Sequence, residues 1–484
     1  MNRRRFLHGA AALGAGAGLG LRPSVGLAAD GLPTFLIVLG ASGGASALDG
    51  PMAIAAEESA NSATLNCFPS DAVSSVGPFR AVQLERSSLG AIPYAFETSQ
   101  RQFVRKHADN MLVATLECTS VNHQVAQRRS VTGNEAWGGR TLQEIVALTH
   151  GEGLPIPNAH LATGTGFTEA GSDRSLPAWC FGEQVTDPRL FALALHGSRG
   201  VSGAPEPSVI ERARAFRDDR LEPTSHFNRL FNEAPALVRY RERRRAAVGL
   251  EDAGLIDALL LTEPSGEQGL TAAPELAQIA AAFPSYENNP LEAQAALAFL
   301  LLKNRVSASV TIAPSFNLKL DDGVTLAGGL TEGALHNPPI AFDYSHTGHR
   351  SAQAFMWAQI FSAADGLIDL LSGTELQDGV SFFDRTLIYV ATDFGRSKTR
   401  PAGADEFGTS HDLNNASLMI SPMLNGRRVL GGRDPDTGLT TPYDIQSGAP
   451  RAGLPNTEAE LFSGLLDVLN VSRPAELPTV TAFT

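Results

Sequence analysis

Four short, almost unbroken apolar runs set the tightest limit on what this chain can fold into. They are PTFLIVLG (Pro33 to Gly40), MLVATLEC (Met111 to Cys118), SASVTIAP (Ser307 to Pro314) and TLIYVATDF (Thr386 to Phe394). A strand with one wet face alternates apolar and polar residues, whereas a run apolar throughout and bounded by turn residues reads as a strand covered on both faces. Three of the four runs have a named helical segment beside them: Gly139 to His150 after the second, Leu291 to Lys303 before the third and Ser351 to Leu371 before the fourth. Alternating strands and helices predict an α/β fold with a doubly wound, mostly parallel sheet. The stretch from Pro205 to about Pro290 breaks the pattern. It is helical and charged, as in ERARAFRDDRLE and ALVRYRERRRAAVGLEDAG, and predicts a helical subdomain inserted between strands at about 205–290. Its run Arg239, Arg241, Arg243, Arg244 and Arg245 reads first as a solvated helix face, with an anion or partner patch as the alternative. Near the end of the chain, Thr457 and Glu460 have the spacing of a capping box opening a last helix, ELFSGLLDVLNV.

The first 29 residues read as a separate element. Arg3, Arg4, Arg5, Phe6 and Leu7 match a twin-arginine export signature, followed by a Gly/Ala-rich run and small residues near Ala28 that suit cleavage. The expectation is a folded protein exported to the periplasm or secreted, with the α/β domain occupying 30–484. Formal net charge is −13 over 484 residues, and four arginines of that total lie in the signal, which leaves −17 for the mature chain. So acidic a surface disfavours nucleic acid and anionic membranes. No other segment has the uninterrupted apolar length of a membrane span. Three cysteines, Cys67, Cys118 and Cys180, allow one bridge at most and no disulfide framework.

In open parallel sheets the functional loops gather at the carboxyl ends of the strands. Taken in order, those loops carry Ser42, Ser46 and Asp49; then Thr119, Ser120, Asn122 and His123, with Thr132, Gly133 and WGGR beyond; then Asp343, His346 and His349 in AFDYSHTGHRS; then Asp393 and Arg396 in TDFGRS; and finally His411 and Asp412 in GTSHD. Carboxylates and imidazoles contributed by several strand ends are the donors a divalent cation needs. A nearby Ser or Thr would serve as a nucleophile on an anionic substrate. Cys118 raises a separate reading, because CTS followed by RRSVTG echoes the sulfatase signature in which cysteine becomes formylglycine. Val121 and Asn122 stand where that signature needs Pro and Arg, so Cys118 reads as a buried small hydrophobe.

Together these segments resemble the domain of unknown function 1501 family, twin-arginine-exported proteins related to the alkaline phosphatase and sulfatase superfamily. LIVLGASGGASAL takes the place of that family's strand and GG-x-DG loop. SVNHQVAQRRSVTGNEAWGGRTL looks like its Ser-His element leading to Gly-Trp-x-x-Arg. FDYSH is similar to its Phe-Asp-x-His, TDFGR to its E-F-G-R, and GTSHDLNNAS with RVLGG to its final Gly-Thr-Asp-His and Gly-Gly loop. The resemblance implies an alkaline-phosphatase-like sheet and a metal-dependent hydrolase of phosphate or sulfate esters. It implies zinc, manganese or calcium held by Asp343, His346, Asp393 and His411, attack by Ser120 or Thr119, and charged oxygens steadied by His123 or Arg396. The departures point to a remodelled site. Ser46 stands where the family has its first acidic residue, unless Asp49 replaces it. Asn122 stands in place of a serine, Asp393 in place of Glu, and His346 and His349 compete for one histidine position. The alternative reading is a non-catalytic exported protein that keeps the hydrolase fold to bind or assemble with a secreted partner.

Overall fold

The computed structural model describes residues 31–83, 98–133, 136, 138–162, 170–195, 203, 205–252, 254–262, 270–314, 325–326, 330–331 and 341–484. The stretch 1–29, where an export signal is expected, and Trp137 of the WGGR element lie outside the described residues. Eight strands form the main sheet: β1 Phe35–Gly40, β2 Met111–Glu117, β3 Asn158–His160, β4 Glu183–Gln184, β5 Ser309–Ile312, β6 Thr386–Ala391, β7 Asn414–Ile420 and β8 Arg428–Leu430. Their spatial order is β8-β2-β7-β6-β1-β5-β3-β4. All four apolar runs are strands of this sheet, and β1, β2 and β6 are buried at nearly every position.

Burial on both faces explains the unbroken apolar runs. Along β1, Phe35, Ile37 and Leu39 point into one core while Leu36 and Val38 point into the other. The first core is closed by helices α2 (Pro290–Lys303) and α3 (His349–Ser372), and the second by α1 (Leu142–His150) and α4 (Glu458–Val468). Local chemistry starts these helices where the sequence places them. Thr141 and Glu144 form a capping box at α1, Asn289 caps α2 ahead of Pro290, and Thr457 with Glu460 forms the expected box at α4. Helix α3 is long and apolar enough to cross a membrane by length and composition, yet most of it is buried inside this protein. The stretch from 205 to 290 is helical, with helices at Pro207–Phe216, His226–Phe231, Pro235–Asp252 and Leu276–Ala282.

The sequence reading omits β3, β4, β7 and β8, and with them the one reversal in the sheet. β1 runs parallel to β5 and β6, while β7 is antiparallel to both of its neighbours, β6 and β2. This reversal places the entrance to β7 at the same edge of the sheet as the exits of β1, β2 and β6. A short ribbon pairs Gly395–Arg396 after β6 with His411–Asp412 before β7. Four loops therefore meet at one edge.

Candidate metal centre

Asp393 leaves the end of β6 fully buried, and the loop after β1 folds around it. Gly43 and Gly44 have positive φ of 99° and 89°, which turns both amide N–H groups onto the carboxylate. Oδ1 accepts from Gly43 N at 3.0 Å, Gly44 N at 2.9 Å and Phe394 N at 3.2 Å, and Oδ2 accepts from Ser42 Oγ at 3.1 Å. Gln127 Nε2 in turn donates to Ser42 Oγ at 2.7 Å. A side chain at Gly44 would bring its Cβ within 2.8 Å of Arg396 Nε, so the turn tolerates nothing larger.

His123 opens a short helix capped by Asn122, whose side chain accepts from Val125 N. Its Nδ1 donates to Asp393 Oδ2 at 2.8 Å, which turns Nε2 toward Asp343 Oδ1 at 3.4 Å. His411 is held the same way. Its Nδ1 donates to the Val121 carbonyl at 3.0 Å, and its Nε2 lies 3.1 Å from Asp343 Oδ1. His346 completes the group, with Nε2 at 2.8 Å from His411 Nε2 and 3.2 Å from Asp343 Oδ1. Two imidazole nitrogens, from His123 and His411, and one Asp343 oxygen thus face a single point, with His346 beside them. In each of two histidines the other ring nitrogen is committed to a protein acceptor, the arrangement that orients metal-binding imidazoles.

The electrostatics follow from this convergence. Burial works against a charge on His123, but its hydrogen bonds to Asp343 and Asp393 win and lift its pKa to about 9. Burial likewise opposes charge on Asp343, and hydrogen bonds from His123, His411 and Arg396 hold its carboxyl well below the ordinary range. His346 is pushed down by burial and by the Arg396 charge. His123, Asp343 and His411 offer ligand atoms that all lie within 4.8 Å of one another and could hold a metal ion. Tetrahedral ligands at about 2.05 Å from zinc stand about 3.3 Å apart. The observed separations of 3.4 Å and 3.1 Å from Asp343 Oδ1 fit that spacing.

The other expected site residues sit elsewhere in the local order. Asp393 stands behind His123 as its orienting carboxylate, with both oxygens taken by hydrogen bonds. Arg396 is fully buried and points inward. It binds the Gly43, Phe342 and Thr409 carbonyls and reaches Asp343 Oδ1 at 2.7 Å, so it braces a ligand rather than facing solvent. Thr119 Oγ1 donates to Glu458 Oε1 at 3.1 Å, and Ser120 Oγ accepts from Asn122 N at 3.1 Å. No described hydrogen bond brings either hydroxyl to the His123–Asp343–His411 cluster. Cys118 is buried, and its thiol is pushed up by burial and then by Glu458, which suits a packed hydrophobe.

Asp49 and His349 correct the sequence expectation most sharply. Asp49 does not stand in for the missing carboxylate at the cluster. It binds His349 Nε2 at 2.9 Å and Asn66 Nδ2 at 2.8 Å, while His349 Nδ1 meets Thr409 Oγ1 at 2.9 Å. His346, and not His349, is the histidine beside the cluster. Gln127 and Glu458 are residues that sequence reasoning missed, and Ser42, named there as a loop residue, was not foreseen as the partner that holds Asp393. Their pairings span 351, 85 and 339 positions of chain and leave no local signal.

No protein-family model matches this chain, and no curated protein matches it.

Proposed function

We propose that this protein is an exported, metal-dependent hydrolase of small anionic esters, phosphate or sulfate, built on an alkaline-phosphatase-like sheet. The observation that carries the proposal is the convergence of His123 Nε2, His411 Nε2 and Asp343 Oδ1 at the edge where strand exits gather, with His346 alongside. Two imidazoles and a carboxylate suit zinc or manganese, whereas calcium takes six to eight oxygen ligands. When bound, a divalent cation supplies Lewis acidity toward an ester oxygen and lowers the pKa of water.

The chain's own residues would orient and charge-balance that chemistry. Asp393 accepts from His123 Nδ1 and the Val121 carbonyl accepts from His411 Nδ1, so both Nε2 atoms stay directed at one point. The second proton that the raised pKa of His123 keeps there would be displaced on cation binding. Arg396 fixes the Asp343 carboxylate from the protein side. His346, exposed and beside Asp343, would exchange a proton with a bound ester.

The engagement of Thr119 with Glu458 and of Ser120 with Asn122 favours a second reading, a metal-binding protein without a side-chain nucleophile that assembles with a secreted partner. One experiment separates the two. Chelator-stripped protein is reloaded with zinc or manganese and assayed on p-nitrophenyl phosphate and p-nitrophenyl sulfate. Metal-restored turnover that is lost in His346→Ala and kept in Ser120→Ala and Thr119→Ala supports a hydrolase using water. Metal binding without turnover on either ester supports the assembly reading.

A further inference from the structure

Away from the metal centre, a cleft of about 850 Å³ lies between the outer strand β4 and the helix Pro235–Asp252. Leu154, Ile156, Phe181, Val185, Phe191 and Tyr240 give it an apolar lining. The volume falls within the range of small-molecule sites, roughly 300–1,000 Å³. The charged groups on this lining are not equivalent. Asp187 pairs with Arg189, and Arg244 pairs with Glu222 and Asp218. Glu183 is also engaged. Arg239 differs, for its guanidinium carbon lies 4.4 Å over the Phe181 ring, while its buried Nε has no hydrogen-bond partner among the described residues. A buried, unsatisfied guanidinium donor costs free energy that an anionic acceptor would recover.

We infer that this cleft binds a monocarboxylate with a large apolar body, its carboxylate on Arg239 and its chain or ring along Phe181, Val185 and Phe191. Stacking on Phe181 fixes the guanidinium plane, and with Nε buried the Nη side of the group is where an anion entering the cleft would bind. Glu242, one turn along the same helix, limits the ligand to one negative end. Its Oε2 is also buried without a hydrogen-bond partner and would repel a second anionic group. The expected ligands are therefore medium-chain fatty acids or aryl-alkanoic acids. The cleft shares no residue with the metal centre, so this inference stands apart from the proposed hydrolase.

Isothermal titration of the purified protein with decanoate, decan-1-ol and decyltrimethylammonium tests it. Decanoate is expected to bind at least about tenfold more tightly than the alcohol, and the ammonium probe least well. Arg239→Gln should remove that preference, and Glu242→Gln should tighten decanoate binding by about two- to threefold. Ala236→Trp, an exposed helix position on the cleft wall, should block all three probes. Equal affinity for decanoate and the alcohol, no decanoate binding at millimolar concentration, or undiminished binding to Ala236→Trp with native circular dichroism would each overturn the assignment.

Discussion

Two Asp–His clusters lie close together behind the same sheet edge, and they use the same residue types to opposite ends. In the Asp49–His349 cluster both ring nitrogens are committed, one to a carboxylate and one to Thr409, and His349 has no exposed surface. In the His123–Asp343–His411 cluster only one nitrogen of each of those two rings is committed behind it. The other nitrogens face a shared oxygen on half-exposed Asp343. The first arrangement is internally satisfied and acts as structure. The second gathers its remaining nitrogens on one oxygen of the part-exposed Asp343, where a cation could replace those hydrogen bonds. What separates a ligand histidine from a core histidine is thus where its second nitrogen goes.

Breaking the sealed cluster should cost the most. His349→Ala leaves Asp49 buried without its main counter-group and is expected to lower stability by about 3–5 kcal/mol. Metal stoichiometry should stay unchanged, with urea unfolding and metal analysis run on the same preparation. A variant that loses metal in proportion to stability would erase the distinction between the clusters. Removing Nε2 at the open cluster comes next. His411→Ala should weaken zinc binding by about 100-fold or more while shifting the unfolding midpoint little, read by competition with a chromophoric chelator. Asp393→Asn probes the layer behind, and about a 10- to 100-fold loss of metal affinity is expected from a misdirected His123.

The smallest effect is in pH dependence, and it sharpens the contrast from the structural side. Burial opposes ionisation of Asp49, but His349 and Arg350 outweigh it and hold the folded carboxyl below its ordinary value of 3.8. A carboxyl with a lowered folded pKa contributes stability that is complete above the unfolded value and disappears as pH falls through the folded one. The stability gap between wild type and Asp49→Asn should therefore be constant at neutral pH and narrow below about pH 4. A gap that persists undiminished at pH 2 would show that Asp49 acts through packing instead of charge.

The sheet was legible because burial on both faces leaves a plain mark: Phe35–Gly40, Met111–Glu117 and Thr386–Ala391 are apolar at almost every position. The antiparallel strand Asn414–Ile420 was less so, since it opens with two asparagines that serve the sheet edge, where Asn415 ties the Ala45 and Phe394 carbonyls. Site residues were legible as types and loops. His123, Asp343, His346 and His411 were all named from their positions behind strands. Their division of labour was not, because it rests on contacts between distant parts of the chain. Asp49 looks like a spare ligand in sequence until His349 is seen to take it, and Thr119 looks free until Glu458, 339 residues on, occupies its hydroxyl. The apolar cleft beside Arg239 was not legible, since its lining comes from Leu154 to Phe191 as well as from the arginine run that reads first as a solvated helix face and alternatively as an anion patch.

Metal stoichiometry of the protein tests the central claim most directly. The protein would be purified without chelator, and also dialysed against zinc and manganese after stripping. One equivalent of tightly held zinc or manganese in the wild type, and none in Asp343→Ala/His411→Ala of native secondary structure, is the predicted result. A well-folded wild type that takes up neither ion, or a double variant that holds as much as the wild type, would contradict the account.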